Sequence, residues 1–438
     1  MAAPTFYDPT SPDEQPVPLP SAPLQIISES PSIVLQPPLT RRGTGPGLII
    51  TLPPSLSLQP NPKGKPLDPE PVQKWAEEGF AVVGITATET ELEAALVKAL
   101  DALEGLEEVD IKDKVAVLGT SITFFFAAVH EERHFSAISS IVSKNPKLVC
   151  VAAYISSGSN LSATSTSIPT LFHISSPDAE APPFDDISAK VVSATQTATY
   201  PSTSSPFFVL PNSSSYDPGN ASLAHTTTLV FFRKHLGGPN FDIAAIWEEH
   251  TYFEFAARTV ARTMGTMVAE PYVNHVPTMT GGIGRKALSE FYRDHFIFAN
   301  PADTRMQTVS RTVGPDRVVD EFILRMTHDR TVDWLLPKVP PTGKKIAVPM
   351  LGVINVRGDR LYHEHIWWDQ STVLLQIGVI PAHVPWPLSD SSLVGPTPEG
   401  KKLKLPISEG DSSARLLIDE TGGVSNEMFE EGWGVTDA

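Results

Sequence analysis

Four residues spaced two apart, His363, His365, Trp367 and Asp369, bring two imidazoles, an indole and a carboxylate into one short stretch. They follow Arg357-Gly358-Asp359-Arg360, a tight-turn signal that makes the stretch the second strand of a hairpin. Side chains alternate along a strand, so these four share one face and Glu364, Ile366, Trp368 and Gln370 take the other. Such a wall can move a proton, share a metal ion through the two histidines, or form a closed hydrogen-bonded network.

The elements that position these residues divide the chain in two. Up to Gly237-Gly238 the pattern alternates strand and helix: strands at residues 47–52, 80–85, 114–118, 148–154 and 170–174, and helices at 71–78, 89–105 and 225–236. That rhythm implies a mostly parallel sheet with helices on both faces. Beyond the glycines, Ile246, Phe253, Ala257, Val260 and Met264 mark one face of a long helix, and Leu288, Phe291, Tyr292, His295 and Phe296 mark a second, with His295 expected as a packed core histidine. Four long strands follow, at 306–313, 317–327, 345–356 and 360–369, an α+β arrangement of helices against a curved antiparallel sheet. The organisation is therefore a tail at 1–22, a first domain at 23–238, a second at 239–384 and a mostly disordered tail at 385–438.

Composition narrows the function classes. The 438 residues are 41% hydrophobic and 19% charged, with 42 prolines concentrated toward the ends. A net charge of -17 and the lack of a basic cluster argue against nucleic acid or anionic membrane as a partner. No stretch has the length of a membrane span and the N-terminus lacks the pattern of a signal peptide, so the expectation is a cytoplasmic protein. Cys150 lies in an apolar run and reads as a small buried residue.

In the first domain, strand Val115-Ala-Val-Leu118 runs into Gly119-Thr120-Ser121-Ile122-Thr123, the position of a nucleophile elbow. Together with Glu77-Glu78-Gly79-Phe80 and with Tyr216-Asp217-Pro218 leading to Leu229-Val-Phe-Phe-Arg-Lys-His-Leu236, this resembles the dienelactone hydrolases, a branch of the α/β-hydrolases, over roughly residues 45–238. The resemblance implies a nucleophile at Ser121, where the family usually has Cys, and an acid at Asp178. Thr123 stands where the family has Gly, and the loop Pro201-Ser-Thr-Ser-Ser-Pro-Phe-Phe208, where its histidine belongs, contains none. A serine hydroxyl without an imidazole to take its proton is a poor nucleophile, so this is expected to be a hydrolase frame with lost catalysis.

In the second domain, Thr327-His328 with Pro340-Pro341-Thr342-Gly343-Lys344, the strand end Trp368-Asp369, and Leu374-Leu375-Gln376-Ile377-Gly378 together resemble the SnoaL-like polyketide-cyclase relatives with the nuclear transport factor 2-like fold. The resemblance implies a cone with one deep pocket and a catalytic acid at Asp369, assisted by His363 and His365. Pocket-lining candidates are Tyr272, Asn274, His275, His328 and Trp367. Asp320, Glu321 and Asp333 are expected to be solvated or paired with Arg311, Arg317 and Arg325. His363 and His365 also offer a metal pair, similar to the first cupin motif, but nothing after Gln370 supplies the second; no cofactor is expected. The leading reading is an acid/base enzyme of cyclase or isomerase type on a small, largely apolar, polyketide-like carbonyl compound. The alternatives are a non-catalytic ligand-binding or assembly module, and an ester or lactone hydrolase using Ser121. Domains of the second type often pair through the open sheet face, so a homodimer is the expected assembly.

Overall fold

The computed structural model describes residues 4–53, 59–119, 144–157, 168–177, 190–192, 195–203, 205–386 and 400–437. It divides into an N-terminal unit, Pro18–Asp242 with Arg357–Arg360, and a C-terminal unit, Met1–Val17 with Ile243–Val356 and Leu361–Ala438.

The N-terminal unit is a nine-stranded sheet. Its strands are β1 (Gln25–Glu29), β2 (Ser32–Gln36), β3 (Gly47–Thr51), β4 (Ala81–Thr86), β5 (Val115–Gly119), β6 (Leu148–Ser156), β7 (Thr170–Ser176), β8 (Lys190–Val192) and β9 (Thr195–Pro201), in the order β1-β2-β4-β3-β5-β6-β7-β9-β8. The pairs from β4 through β9 are parallel; β1–β2, β2–β4 and β8–β9 are antiparallel. Three helices are described around it: α1 (Pro71–Glu77), α2 (Glu89–Gly105) and α3 (Pro218–Leu236).

The continuous apolar runs are explained by burial on both faces. Leu48, Ile50, Val82, Ala116 and Leu118 pack with Trp75 of α1 and Phe232 of α3. Their alternating neighbours Ile49, Val83, Val115 and Val117 pack with Leu96, Ala99 and Leu103 of α2. Gly237 ends α3 in the left-handed region, at φ 89°, as its position after the amphipathic run predicts. Cys150 is fully buried in the first of these clusters. The strands β1, β2, β8 and β9 were not legible as strands: β1, β8 and β9 are short or polar and lie toward the edges of the sheet, and the short apolar run Ile33-Val-Leu35 of β2 is hemmed in by Pro31 and Pro37.

In the C-terminal unit, α4 (Ile243–Thr251) continues into a π-helical turn at Tyr252–Ala257, and after a break α5 (Val260–Gly265) follows. Then come β10 (Met267–His275), β11 (Thr280–Ile283) and α6 (Arg285–Phe291), which continues into a second π-helical turn at Tyr292–Phe296. Four long strands complete the main sheet: β12 (Arg305–Val313), β13 (Arg317–Thr327), β14 (Lys345–Arg357) and β15 (Arg360–Trp368). The order is β11-β10-β15-β14-β13-β12, and the β10–β15 pair is parallel within an otherwise antiparallel ladder. The helix expected as one piece is thus two, separated at Arg258, whose backbone is left-handed at φ 54°.

Both expected tails carry described structure. Glu14 caps α5: its two carboxylate oxygens accept from the Val260 and Ala261 N–H groups, each at 2.9 Å. After α7 (Gln370–Gln376), the strands β16 (His383–Trp386), β17 (Lys401–Lys404) and β18 (Gly434–Asp437) form a small antiparallel sheet, with α8 (Ser412–Ile418) between β17 and β18. Polar and proline-rich composition hid both, since neither buries a periodic apolar face. Among the described residues, no helix is long and apolar enough to cross a membrane. Glu14→Ala removes a cap from α5 and should lower the stability of the C-terminal unit by about 1 kcal/mol, measurable by urea unfolding of the full chain.

Candidate functional site: a buried histidine between two glutamates

The register of β15 decides which residues meet the interior. Tyr272, Val273, Asn274 and His275 of β10 lie opposite His363, Glu364, His365 and Ile366. Val273, Glu364, His275 and Ile366 therefore point one way, and Tyr272, His363, Asn274 and His365 the other. A cavity of about 90 Å³ lies on the first of these faces, lined by Glu364, Ile366 and His275 together with residues from α4, both π-helical turns and the strands β12 to β14. The alternation read from the sequence is correct, but the face it favoured points away from the cavity, with His363 buried there and Trp367 exposed.

The inward face brings three ionisable groups together. His250 near the end of α4 and Glu254 in the first π-helical turn are four residues apart, so they sit one above the other on the helix surface. Nε2 of His250 is 3.1 Å from Oε1 of Glu254 and 3.0 Å from Oε1 of Glu364. Tyr292, from the second π-helical turn, donates its hydroxyl to Oε1 of Glu364 at 3.3 Å. Both π-helical turns thus deliver side chains to this site, a frequent use of the local distortion. His250 is 0%, Glu254 2% and Glu364 3% exposed, so none of the three charges is met by water.

The protons can be traced along the hydrogen bonds. Oγ1 of Thr263 donates to the Thr259 carbonyl at 2.7 Å, and Oγ1 of Thr266 donates to the Thr263 carbonyl at 2.7 Å. With its proton so used, Thr266 accepts from Nδ1–H of His250 at 2.6 Å. Nε2 then faces two carboxylate oxygens, an arrangement that requires a proton between them. Burial alone would neutralise the imidazole, but Glu254 and Glu364 overcome it and raise the His250 pKa to about 10. Burial, opposed by His250 and reinforced by Glu364, pushes Glu254 up, and the same burial with the two carboxylates pushes the Tyr292 phenol well up. His250 is therefore an imidazolium at neutral pH.

Around this cluster the cavity is largely aromatic. Phe255, Phe296 and Trp334 line it, and the His275 ring stacks on Phe296 with ring centroids 5.5 Å apart. Burial depresses the His275 pKa to about 3, which keeps it neutral. On another side Asp320 accepts two bonds from Arg311, at 2.7 and 2.9 Å, and one from the Trp247 indole N–H at 2.8 Å. The expected pairing of Asp320 with Arg311 is thus present, opposite one another across β12 and β13.

Of the residues expected at the site, His275 lines the cavity. Asp369 does not: it is exposed and caps α7, accepting from Ser371 N at 3.0 Å, Thr372 N at 3.2 Å and Thr372 Oγ1 at 2.6 Å. Its position just after the strand makes it a helix cap, so it has left the face of the wall before its side chain is placed. His363, which is buried, and His365 stack on each other at 4.4 Å on the face away from the cavity, with Tyr272 over His363 at 4.8 Å. Burial and Arg317 hold the His365 pKa down. Trp367 is 36% exposed on that face, where Asn274 also lies. His328 is buried at the end of β13, 3.1 Å from Thr342 Oγ1, outside the cavity lining. His295 is largely exposed and pairs with Asp333 at 3.2 Å instead of packing in the core.

Among the described residues, His363 and His365 gather no third metal-ligating side chain, whereas His250, Glu254 and Glu364 offer donor atoms within 4.8 Å of one another. A metal ion there would have to displace the imidazolium proton, and the high basicity of His250 favours the proton.

Ser121 and Asp178 lie outside the described residues, as do His130 and His134. Of the other imidazoles in the N-terminal unit, His173 is fully buried between Tyr200 Oη and Thr228 Oγ1, each 2.8 Å away, and burial lowers its pKa to about 3. His225 faces Glu78 at 2.8 Å.

Sequence reasoning missed His250, Glu254 and Glu364. The signal was an ionisable residue alternating with Ile366 and Trp368 on an otherwise apolar strand face, and a His-x-x-x-Glu pair on the adjoining helix. Both read as ordinary surface charges without the register.

Comparison with known proteins concerns the same region. A model of the SnoaL-like domain matches residues 249–364, about a quarter of the chain, so this segment is similar to that domain. Among solved structures, a SnoaL-like polyketide cyclase candidate from Jannaschia sp. CCS1 is 17% identical, covers 33% of this chain and 99% of its own, and has a TM-score of 0.27. A protein of ketosteroid isomerase-like fold from Catenulispora acidiphila DSM 44928, solved with trimethylamine, is 17% identical over 33% of this chain and 96% of its own, with a TM-score of 0.25. TsrD from Streptomyces laurentii is 12% identical over 32% of this chain and 100% of its own, with a TM-score of 0.27. No curated protein matches the chain.

The raised pKa of His250 sets a pH dependence of stability. The folded state holds this proton more tightly than the unfolded chain, whose histidine titrates near 6.5. The contribution is complete below about pH 6.5 and is lost as pH rises toward about 10. Urea unfolding should show stability falling across that window, and His250→Gln should remove most of the slope.

Proposed function

We propose that the C-terminal unit binds a small, largely apolar carbonyl compound in its cavity and transfers a proton at the carbon beside the carbonyl. Glu364 and Glu254 take the roles expected from the sequence for Asp369, His365 and His363. The observation that carries this reading is the pair of carboxylates lining an aromatic cavity with one buried imidazolium behind both. Glu364 accepts the proton from the carbon beside the carbonyl and returns one to it, and Glu254, pushed up by burial and by Glu364, lies beside it to take up that proton in turn. His250 touches neither reacting atom; it holds the two carboxyl groups in place and keeps the developing charge balanced. Tyr292 fixes Glu364 from the other side.

For the N-terminal unit we propose a dienelactone hydrolase-like frame without hydrolysis. Its largely parallel sheet fits that frame, the loop after Tyr200 lacks a histidine, and His173 is neutral and held at both nitrogens.

Hydrogen–deuterium exchange at the α-carbon of a small ketone, followed by NMR in D₂O, tests the C-terminal proposal. The chain should accelerate exchange, Glu364→Gln and Glu254→Gln should each cost about a hundredfold or more, and Asp369→Asn should leave the rate unchanged. Binding of the ketone without accelerated exchange would leave a non-catalytic binding module in its place. Loss of exchange on Asp369→Asn with both glutamine variants active would overturn the assignment of residues.

A further inference from the structure

We infer that the compound bound in this cavity carries a small organic ammonium group, seated among the aromatic rings with its charge toward Glu254 and Glu364. This names a ligand class for the site proposed above and rests on that cavity being a ligand site.

Three observations lead to it. The first is charge. Glu254, Glu364 and Asp320 meet the cavity with Arg311 as the cation among its lining residues and His250 behind, so with all five ionised the balance is one negative charge. A buried excess of this kind favours a cationic occupant. The second is hydrogen bonding. The charged and indole donors of this wall and the Tyr292 hydroxyl are committed: Arg311 to Asp320 and Glu248, the Trp247 indole to Asp320, the Trp334 indole to Asn300, and Tyr292 to Glu364. What the cavity offers a ligand is acceptor capacity, which suits an ammonium. The third is the lining. Phe255, Phe296 and Trp334 present ring surface, and the Phe296 and Trp334 centroids are 5.3 Å apart, a corner of the kind that holds alkylammonium ions through the negative faces of the rings.

Size and proton balance agree. About 90 Å³ admits a group of a few heavy atoms. A monovalent ammonium leaves the His250 proton where it is, whereas a divalent metal must expel it. The groups facing Glu254 and Glu364 from the packed elements are His250 from α4, Tyr292 from the second π-helical turn and Thr266, through His250, after α5. None of them supplies a second cation.

Tetramethylammonium chloride, whose charge does not vary with pH, and tert-butyl alcohol, its neutral counterpart, are titrated into the full chain and followed by NMR shifts of the cavity residues. The ammonium should bind at least tenfold more tightly than the alcohol, and Glu364→Gln should weaken it by about tenfold or more while leaving the alcohol unaffected. If Glu364→Gln does not fold, Glu254→Gln supplies the same comparison. Equal binding of the two probes, or an ammonium affinity that neither variant changes, overturns the inference. Ketone exchange without ammonium binding overturns it while the proton-transfer reading stands. Failure of all three compounds to shift the cavity residues overturns both.

Discussion

Two carboxylates cannot be buried side by side without a counter-charge, and His250 supplies it. Placing its Nε2 3.0 and 3.1 Å from Glu364 and Glu254 sets tight conditions on the elements around it. α4 must end in register with β15, the π-helical turn must carry Glu254 beneath the histidine, and Thr266 must hold Nδ1 from the far side. Removing one partner would leave an uncompensated buried charge, which typically costs several kcal/mol, about 3–5. Such an arrangement is weak as a source of stability compared with apolar packing of the same volume, so its retention beside a cavity is better accounted for by chemistry.

The same constraint explains how the interior can be both aromatic and ionised. Phe255, Phe296 and Trp334 exclude water and raise the cost of charge, while the imidazolium and the Tyr292 hydroxyl meet the charge that remains. Asp320 follows the same logic, with Arg311 and Trp247 in place of His250 and Tyr292. The cavity is therefore polar at defined points and apolar elsewhere, as a ligand site requires.

Much of the architecture was legible in the sequence, because strands buried on both faces and amphipathic helices leave strong periodic signals. The runs Gly47–Thr51 and Val115–Gly119 and the four long strands of the second unit are of this kind. β10 was not legible, since its polar residues Glu270, Tyr272 and Asn274 read as a loop, and its parallel pairing with β15 joins segments far apart in sequence. The site was half legible: the strand and its alternation were right, but alternation alone does not say which face is buried. His363, His365 and Trp367 looked like chemistry because histidines and tryptophans are conspicuous, while Glu364 between them carried the charge to the interior. Asp369 was conspicuous for its position near the strand end, which is also where a helix cap belongs.

The whole site turns on His250 being a buried imidazolium shared by Glu254 and Glu364. Long-range ¹H–¹⁵N correlation spectra of the histidine side chains, recorded on the full chain as a function of pH, test it directly. Both nitrogens of His250 should stay protonated through neutral pH, with titration beginning only as pH approaches about 10. A His250 ring that is neutral at pH 7, with one nitrogen unprotonated, would contradict it.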